Sequence, residues 1–401
     1  MKEKLLLMKS FLIGGAALLA TSCTNEEIIG GNPETETGNP GLSISIQTPA
    51  ADGVVFTKVG TIEDEAAEWA VKTLNVYLFN KSGATEKDSD YKLYKHTPLN
   101  LSEMDKDGVT DNSDGTYSYN EPITADMIGK TMKVVLVAND APAGVIPNTD
   151  GTSGTGLDEF KTKLANASVS EGSSADVLVG GTGDGATGFP MSYVGESDIT
   201  MTPMGESVSA TLTRTVARLD IFNYTPNLTV TGVSLVKAVN KSYLLPQAAF
   251  TDPTTGVSYV TINATQEWQG KFGSNGGAFV KPTKPDDQLE PWTPTEDDYK
   301  KVNTLKHVLY MYEQANAGEN IAKIHIDYKL SMGGGAEKTA SLDIPFTSST
   351  EKIERNTLYT VKLGDGTIAQ DKINATITVE DWVTEDVDVP LDPSEGSDTV
   401  E

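Results

Sequence analysis

The sequence predicts a mostly β protein with two β-sandwich domains in tandem and few short helices. Apolar and polar residues alternate with period two in many short segments, which is typical of strands with one buried face. The composition agrees: 38% of the 401 residues are hydrophobic, and 37 glycines and 19 prolines supply turns. Since one core rarely grows past ~250–300 residues, a chain of this length is expected to form two.

The first strand is predicted at 42–47, where Leu42, Ile44 and Ile46 alternate with polar residues. Residues 74–79 repeat the alternation, and the nearly continuous apolar run at 132–137 favours a strand covered on both faces. Later strands are predicted at 228–236, 307–312, 324–330, 358–363 and 373–379. A short helix is expected at 157–165, and the proline-rich stretch 271–301 is expected to be a surface excursion.

The alternation changes parity between Leu212 and Ala217. Apolar residues fall on even numbers up to Leu212 and on odd numbers from Ala217 onwards. Such a change requires an extra residue, so a bulge or a switch between sheets is expected near Arg214. The domain boundary is placed there, which predicts an N-terminal domain at 59–212 and a C-terminal domain at 213–401 with a terminal strand.

The amino terminus has the layout of a bacterial lipoprotein signal. Three lysines, an apolar run at 11–20 and two small residues precede Cys23, the only cysteine of the chain. This predicts a signal peptide at 1–22 and lipidation, such as palmitate, on Cys23; the alternative is an ordinary secretory signal with a chance cysteine nearby. A lipidated Cys23 leaves no thiol for a disulfide, so burial alone must hold the exported chain together. Residues 24–40 are predicted to form a tether.

The charge excludes some classes of partner. A formal net charge of −26 disfavours binding to nucleic acid and to anionic lipid headgroups. The three histidines are scattered and do not predict a metal site. Residues 110–121 partly match a calcium loop, but Thr110 stands where the first carboxylate belongs, so a hairpin is the preferred interpretation and calcium stays an open alternative. No cofactor is expected, and an enzymatic function is not favoured.

The assembled pattern resembles the FimA-like fimbrillins, the lipoprotein-derived type V pilins. The segments that carry the resemblance are short, and it is their order and spacing that match: 41–47, 73–79, 132–139, 189–192, 214–221, 354–359 and 379–382. The resemblance implies two transthyretin-like Greek-key sandwiches and no enzymatic activity. It also implies an outer-membrane lipoprotein precursor that becomes an extracellular fimbrium.

The resemblance further implies assembly by donor-strand exchange. A surface protease would remove residues 23–58, including the strand with Leu42, Ile44 and Ile46. The best-known pilin protease cuts after arginine, but the first arginine here is Arg214, so Lys58 is the matching site. A neighbouring copy or related pilin would then fill the groove with its C-terminal segment 385–391. The donor residues implied by this comparison are Val387, Val389 and Leu391.

Two other interpretations remain at this point. The chain could be a fimbrial anchor or tip, or a non-polymerising surface lipoprotein, that binds a glycan or a host protein through loops such as 271–301, where Trp292 is available for stacking on a sugar. It could also be a lipid-anchored hydrolase. Whether a ladder of polymers forms after loss of residues 24–58 separates the pilus subunit from the surface binder.

Overall fold

A computed structural model describes residues 41–48, 68, 70–85, 87–101, 109–111, 116–140, 154–166, 168–174, 178, 188–264, 277–286, 288–331, 337–346, 352–368 and 373–381. The predicted fold class is confirmed: these residues are mostly β, form two sandwiches and include few short helices.

Two sheets make up the first sandwich. Its strands are β1 Gly41–Gln47, β2 Thr73–Lys81, β3 Tyr91–Asn100, β4 Val109–Asp111, β5 Thr116–Pro122, β6 Thr131–Ala138, β7 Met191–Val194, β8 Ile199–Thr200, β9 Glu206–Thr211 and β10 Thr213–Arg214. Sheet I has the order β4-β5-β1-β9, and sheet II has the order β10-β7-β6-β2-β3 with β8 also paired to β6. One apolar cluster joins the facing sides of the two sheets.

The second sandwich is built in the same way. Its strands are β11 Val216–Asn223, β12 Leu228–Val239, β13 Tyr259–Asn263, β14 Thr304–Tyr312, β15 Lys323–Ser331, β16 Glu337–Pro345, β17 Thr357–Leu363 and β18 Ala375–Asp381. Sheet III has the order β14-β11-β17-β18, and sheet IV has the order β13-β12-β15-β16. The residues buried between sheets III and IV form a second apolar cluster.

Strands β2 and β6 are buried on both faces. Leu74, Val76 and Leu78 of β2 belong to the core shared with sheet I, whereas Tyr77 and Phe79 belong to the cluster that continues into sheets III and IV. The expectation of a doubly covered strand at 132–137 is therefore confirmed. The described residues group as one compact unit, so the domain limits 59–212 and 213–401 stay a prediction.

The parity change near Arg214 is a switch between sheets. The chain leaves sheet I at the end of β9, pairs briefly with β7 through β10, and enters sheet III with β11. Thr215 lies between β10 and β11, where the chain passes from sheet II to sheet III. Its backbone N–H and its hydroxyl both donate to the carbonyl of Pro190. When the chain moves to another sheet, the face of the strand that points to the core changes. The shifted alternation of apolar residues had predicted such a switch or a bulge.

The helices differ from expectation. Helix α1 spans Leu157–Lys161 and is shorter than the predicted 157–165. Helix α2 spans Glu296–Asn303 and overlaps the end of the stretch 271–301 that was predicted to be a surface excursion. It begins with a capping box in which Thr295 and Asp298 satisfy each other's backbone N–H groups. Among the described residues, no helix has both the length and the apolar character needed to span a bilayer.

Candidate functional site

Strand β1 occupies an interior position in sheet I. It pairs antiparallel with β5 from Gly41 opposite Pro122 to Gln47 opposite Thr116. On its other side it pairs parallel with β9 from Leu42 opposite Glu206 to Gln47 opposite Thr211. Its backbone is therefore bonded on both edges, as expected for a strand that completes a sheet.

The inward face of β1 is apolar and fully buried. Leu42, Ile44 and Ile46 have 0–1% of their surface exposed, and they lie in the core between sheets I and II. Ser43 and Ser45 alternate with them on the exposed face. The predicted strand and its predicted buried residues are thus where the sequence placed them. Burial of a side chain of this size contributes about 1.5–3 kcal/mol, so the three residues together hold β1 with roughly 5–9 kcal/mol.

The two flanking strands supply the walls of this position. Tyr117 and Tyr119 of β5 and Ala210 of β9 are buried beside β1 in the same core. In the part of the chain that the structure describes, β9 has β1 as its sole strand partner. Removal of β1 would therefore leave β9 without its described strand partner, and it would leave β5 unpaired on the edge that does not face β4.

A buried carboxylate lies at the start of this groove. Glu121 of β5, opposite Leu42, is 1% exposed. Its carboxylate accepts hydrogen bonds from Tyr119 at 2.9 Å and Thr97 at 2.8 Å, and it lies 2.5 Å from the ammonium of Lys95. Glu121 was the last ligand position of the calcium alternative, and here its oxygens are held by protein groups. Residues 112–115 of that stretch lie outside the described residues.

The N-terminal end of β1 is closed by a glycine contact. Gly205, just before β9, has φ +93°, and a Cβ at this position would lie 2.6 Å from the carbonyl oxygen of Gly41. At the other end, the backbone N–H of Leu212 donates to the carbonyl of Gln47 at 2.8 Å. Both ends of β1 are therefore fixed against the chain that leads into and out of β9.

We expect Gly205→Ala to lower the free energy of unfolding by about 1–3 kcal/mol, since the new methyl group combines a disfavoured φ with a backbone clash. Urea denaturation measures this loss. Gly129→Ala is the matched control: its φ is +80°, but nothing lies within 4 Å of the added Cβ. An equal loss in both variants would mean that the contact with Gly41 contributes nothing.

The remaining predicted site residues cannot be placed. Cys23, Lys58, Val387, Val389 and Leu391 lie outside the described residues, as do the tether and the terminal tail. Sequence reasoning identified β1 but missed its partner β9 and the parallel pairing between them. The alternation of Val208 and Ala210 showed a strand there, but nothing in a single sequence pairs two strands about 160 residues apart.

The structure also joins side chains that the sequence had not connected. Glu68, Arg214, Arg218, Asp220 and His307 form a buried ionic cluster between the segment before β2 and strands β11 and β14. No group of three or more His, Cys, Asp or Glu suited to a metal ion is present within the described ranges.

Comparisons with known proteins give similarity at the level of structure. No family model matches the sequence, and no curated protein matches it. The tip fimbrial protein Mfa3 from Porphyromonas gingivalis, with a C-terminal truncation, is similar at 14% identity and a TM-score of 0.44, covering 86% of this chain and 100% of that chain. A fimbrial assembly protein from Parabacteroides distasonis is similar at 14% identity and a TM-score of 0.43, covering 84% and 98%.

Both of these structural neighbours are described as fimbrial proteins. At such identities and TM-scores below 0.5, the similarity assigns neither a family nor a function to this chain.

Proposed function

We propose that this chain is a structural subunit of a surface pilus that polymerises by protease-triggered donor-strand exchange and contributes to adhesion. The observation that carries the proposal is the position of β1, an interior strand contributed by the first described segment of the chain. An N-terminal strand can be removed by one cut in the chain that follows it. The same cut anywhere in β5 or β9 would divide the fold.

Loss of β1 would create a groove with a specific chemistry. Its two walls would present the unpaired backbone groups of β5 and β9, and its floor would be the apolar core that now covers Leu42, Ile44 and Ile46. Open strand edges of this kind pair readily with an added strand. A segment with three apolar residues at alternate positions would restore both the hydrogen bonds and the burial.

The C-terminal segment 385–391 has this pattern. Val387, Val389 and Leu391 alternate with Asp386, Asp388 and Pro390, which matches the in-and-out alternation of β1. Pro390 lacks an N–H and would forgo one ladder hydrogen bond, so the apolar side chains would have to supply most of the affinity. Contacts between the groove of one copy and the tail of the next are head-to-tail and build an open fibre.

The proposal assigns a place and a sequence of events. The precursor would be anchored in the outer membrane through lipid on Cys23, and the cut at Lys58 would free the subunit for the extracellular fimbrium. Its partners would be copies of itself or related pilins, with a host or bacterial surface as a further ligand. This role is structural and not enzymatic.

The test is limited trypsin digestion of the mature chain followed by unheated gel electrophoresis. We expect the wild type to form a ladder of polymers after losing residues 24–58, and Lys58→Ala to remain a monomer. Because Lys58 is predicted from the sequence to lie in a loop and loop lysines contribute little to stability, the free energy of unfolding of Lys58→Ala should stay within about 0.5 kcal/mol of the wild type.

Lys72→Ala is the matched control for this experiment and should still form the ladder. Lys72 is the next lysine after Lys58, and its backbone N–H and carbonyl are both hydrogen bonded. A ladder from Lys58→Ala would refute the assigned cut, and a wild-type monomer that persists after β1 is lost would refute polymerisation and favour the surface-binder alternative.

A further inference from the structure

The segment between the proposed cut and β2 ends in a buried anchor. Glu68 stands ten residues after Lys58, and it is 1% exposed. Glu68 precedes the strands of the second sandwich in the chain, but its carboxylate lies beside β11 and β14 of that sandwich. A buried carboxylate is stable only when other groups replace its hydration, so its partners define a site.

Among the described residues, the side chains of Tyr310, His307, Arg218 and Arg214 contact Glu68. One carboxylate oxygen accepts a hydrogen bond from the hydroxyl of Tyr310 at 2.7 Å and lies 2.9 Å from Nδ1 of His307. The other lies 3.7 Å from the guanidinium of Arg218. Arg214 donates from Nε to the backbone carbonyl of Glu68 at 2.8 Å. Both the side chain and the backbone of this residue are therefore held.

Contacts and backbone geometry in β11 and β14 position the partners of Glu68. Arg218 is paired with Asp220 through two hydrogen bonds of 2.9 and 3.0 Å, and Asp220 also accepts from the backbone N–H of His307 at 2.8 Å. His307 has φ +54°, and the register of β11 against β14 shifts between Leu219 and Ile221. A left-handed conformation in a non-glycine residue persists only when its surroundings enforce it.

The carboxylate of Glu68 lies beside buried positive charge. Arg214 and Arg218 are both 0% exposed, and the guanidinium of Arg218 lies between the carboxylates of Glu68 and Asp220. Burial by itself would raise the pKa of Glu68, but the hydrogen bond from His307 and the charges of Arg218, His307 and Arg214 lower it overall. Glu68 is therefore ionised at neutral pH, and its contribution to stability is lost only as the pH falls through this lowered pKa.

The residues just after Glu68 are held by a second set of bonds. Asn139 donates to the carbonyl of Ala70 at 2.7 Å and accepts from the backbone N–H of Lys72 at 2.7 Å. The carbonyl of Lys72 accepts from Leu101 at 2.9 Å. Ala70 and Lys72 are thus held at the start of β2 by residues that do not belong to β1.

We propose that Glu68 is a latch that keeps the chain before β2 anchored to β11 and β14 when β1 leaves. Arg218, His307 and Tyr310 hold its carboxylate and Arg214 holds its backbone carbonyl, so that strand release stops at Glu68 and does not open the chain into β2. This inference rests on the proposed function for the event that it limits, but the latch itself is testable on the intact mature chain.

The test follows the peptide bond after Lys72, because 59–71 contains no other lysine or arginine. The mature chain and its variants are digested with trypsin, and the N-terminal residue of the stable core is found by mass spectrometry. We expect the wild-type bond after Lys72 to resist, so that the core begins at Val59. In Glu68→Gln, which removes the negative charge beside the buried guanidinium of Arg218, cleavage after Lys72 should be about tenfold faster or more, and the core should begin at Thr73.

Two further variants make the result decisive. Glu68→Asp keeps the negative charge on a side chain that is one methylene shorter. Its rate of cleavage after Lys72 should lie between those of the wild type and Glu68→Gln. Glu121→Gln alters another buried glutamate, which is 1% exposed and paired with Lys95, and should leave the bond after Lys72 protected. A wild-type core that begins at Thr73, unchanged protection in Glu68→Gln, or equal opening in Glu121→Gln would each overturn the latch.

Failure of the latch is distinguishable from failure of the proposed function. If Lys58 is not cut, the wild-type chain keeps its N-terminus and forms no ladder, yet the bond after Lys72 still reports whether Glu68 protects it. If the ladder forms and Glu68→Gln shows no change at Lys72, the exchange mechanism stands and the latch does not.

Discussion

Subunits with Val387→Asp and Val389→Asp are expected to remain monomers after trypsin removes residues 24–58. Two carboxylates would have to enter an apolar slot whose present occupants are 0–1% exposed, and burying unpaired charge costs more than the exchange can supply. The readout is the ladder on an unheated gel, which should be lost completely. The monomer itself should be as stable as the wild type, because the first sandwich keeps its own β1 until the cut.

Val379→Asp is the control for this variant. Val379 lies on β18 and is 47% exposed, so a new carboxylate there stays in water and the ladder should persist. Polymers that form equally well from the double variant would remove the C-terminal segment as donor while leaving the groove around β1 intact as a hypothesis. A ladder lost in Val379→Asp would instead point to a general effect of added negative charge.

Arg218→Ala is expected to lower the free energy of unfolding by about 3–5 kcal/mol, since removal of one partner leaves Glu68 and Asp220 buried without its charge. Chemical denaturation at neutral pH measures this loss. The effect should shrink as the pH falls through the lowered pKa of Glu68, because protonation removes the charge that Arg218 had compensated on that carboxylate.

Lys329→Ala is the control for the buried arginine. Lys329 forms an ion pair of 4.0 Å with Glu337, and both side chains are at least half exposed, so its removal should cost about 0–1 kcal/mol. A loss from Arg218→Ala as small as that of the control would show that the two carboxylates find other partners, and it would weaken the case for a latch at Glu68.

The sequence predicted the parts of the fold in which local pattern and burial agree. The alternation in β1 and the two-sided apolar run in β6 both identify strands with their correct faces. The parity change between Leu212 and Ala217 predicted either a bulge or a switch between sheets, and the structure shows the switch. These signals are local, because successive side chains of a strand point to opposite faces and every second residue therefore has the same environment.

What sequence reasoning missed depends on distant pairs or on polar detail. Strand β9 joins β1 across about 160 residues, and Arg214 reaches the carbonyl of Glu68 across 146. Helix α2 lies in a proline-rich stretch whose apolar content is low, and its start is marked by Thr295 and Asp298 only. The sequence therefore identifies β1, the strand that fills the candidate site. It does not show that β5 and β9 flank this strand, and it does not show the buried contacts of Glu68.

The mixed pairing of β1 has a consequence for the polarity of any fibre. Because β5 runs opposite to β1 and β9 runs along it, the two walls are antiparallel to each other, and a replacement inserted in either direction would be parallel to one and antiparallel to the other. Backbone bonding alone does not orient the newcomer. Direction is therefore left to the side chains and to the close approach at one end of β1, where a Cβ on Gly205 would lie 2.6 Å from the carbonyl oxygen of Gly41. The order of successive subunits would then depend on how well a strand fits that end.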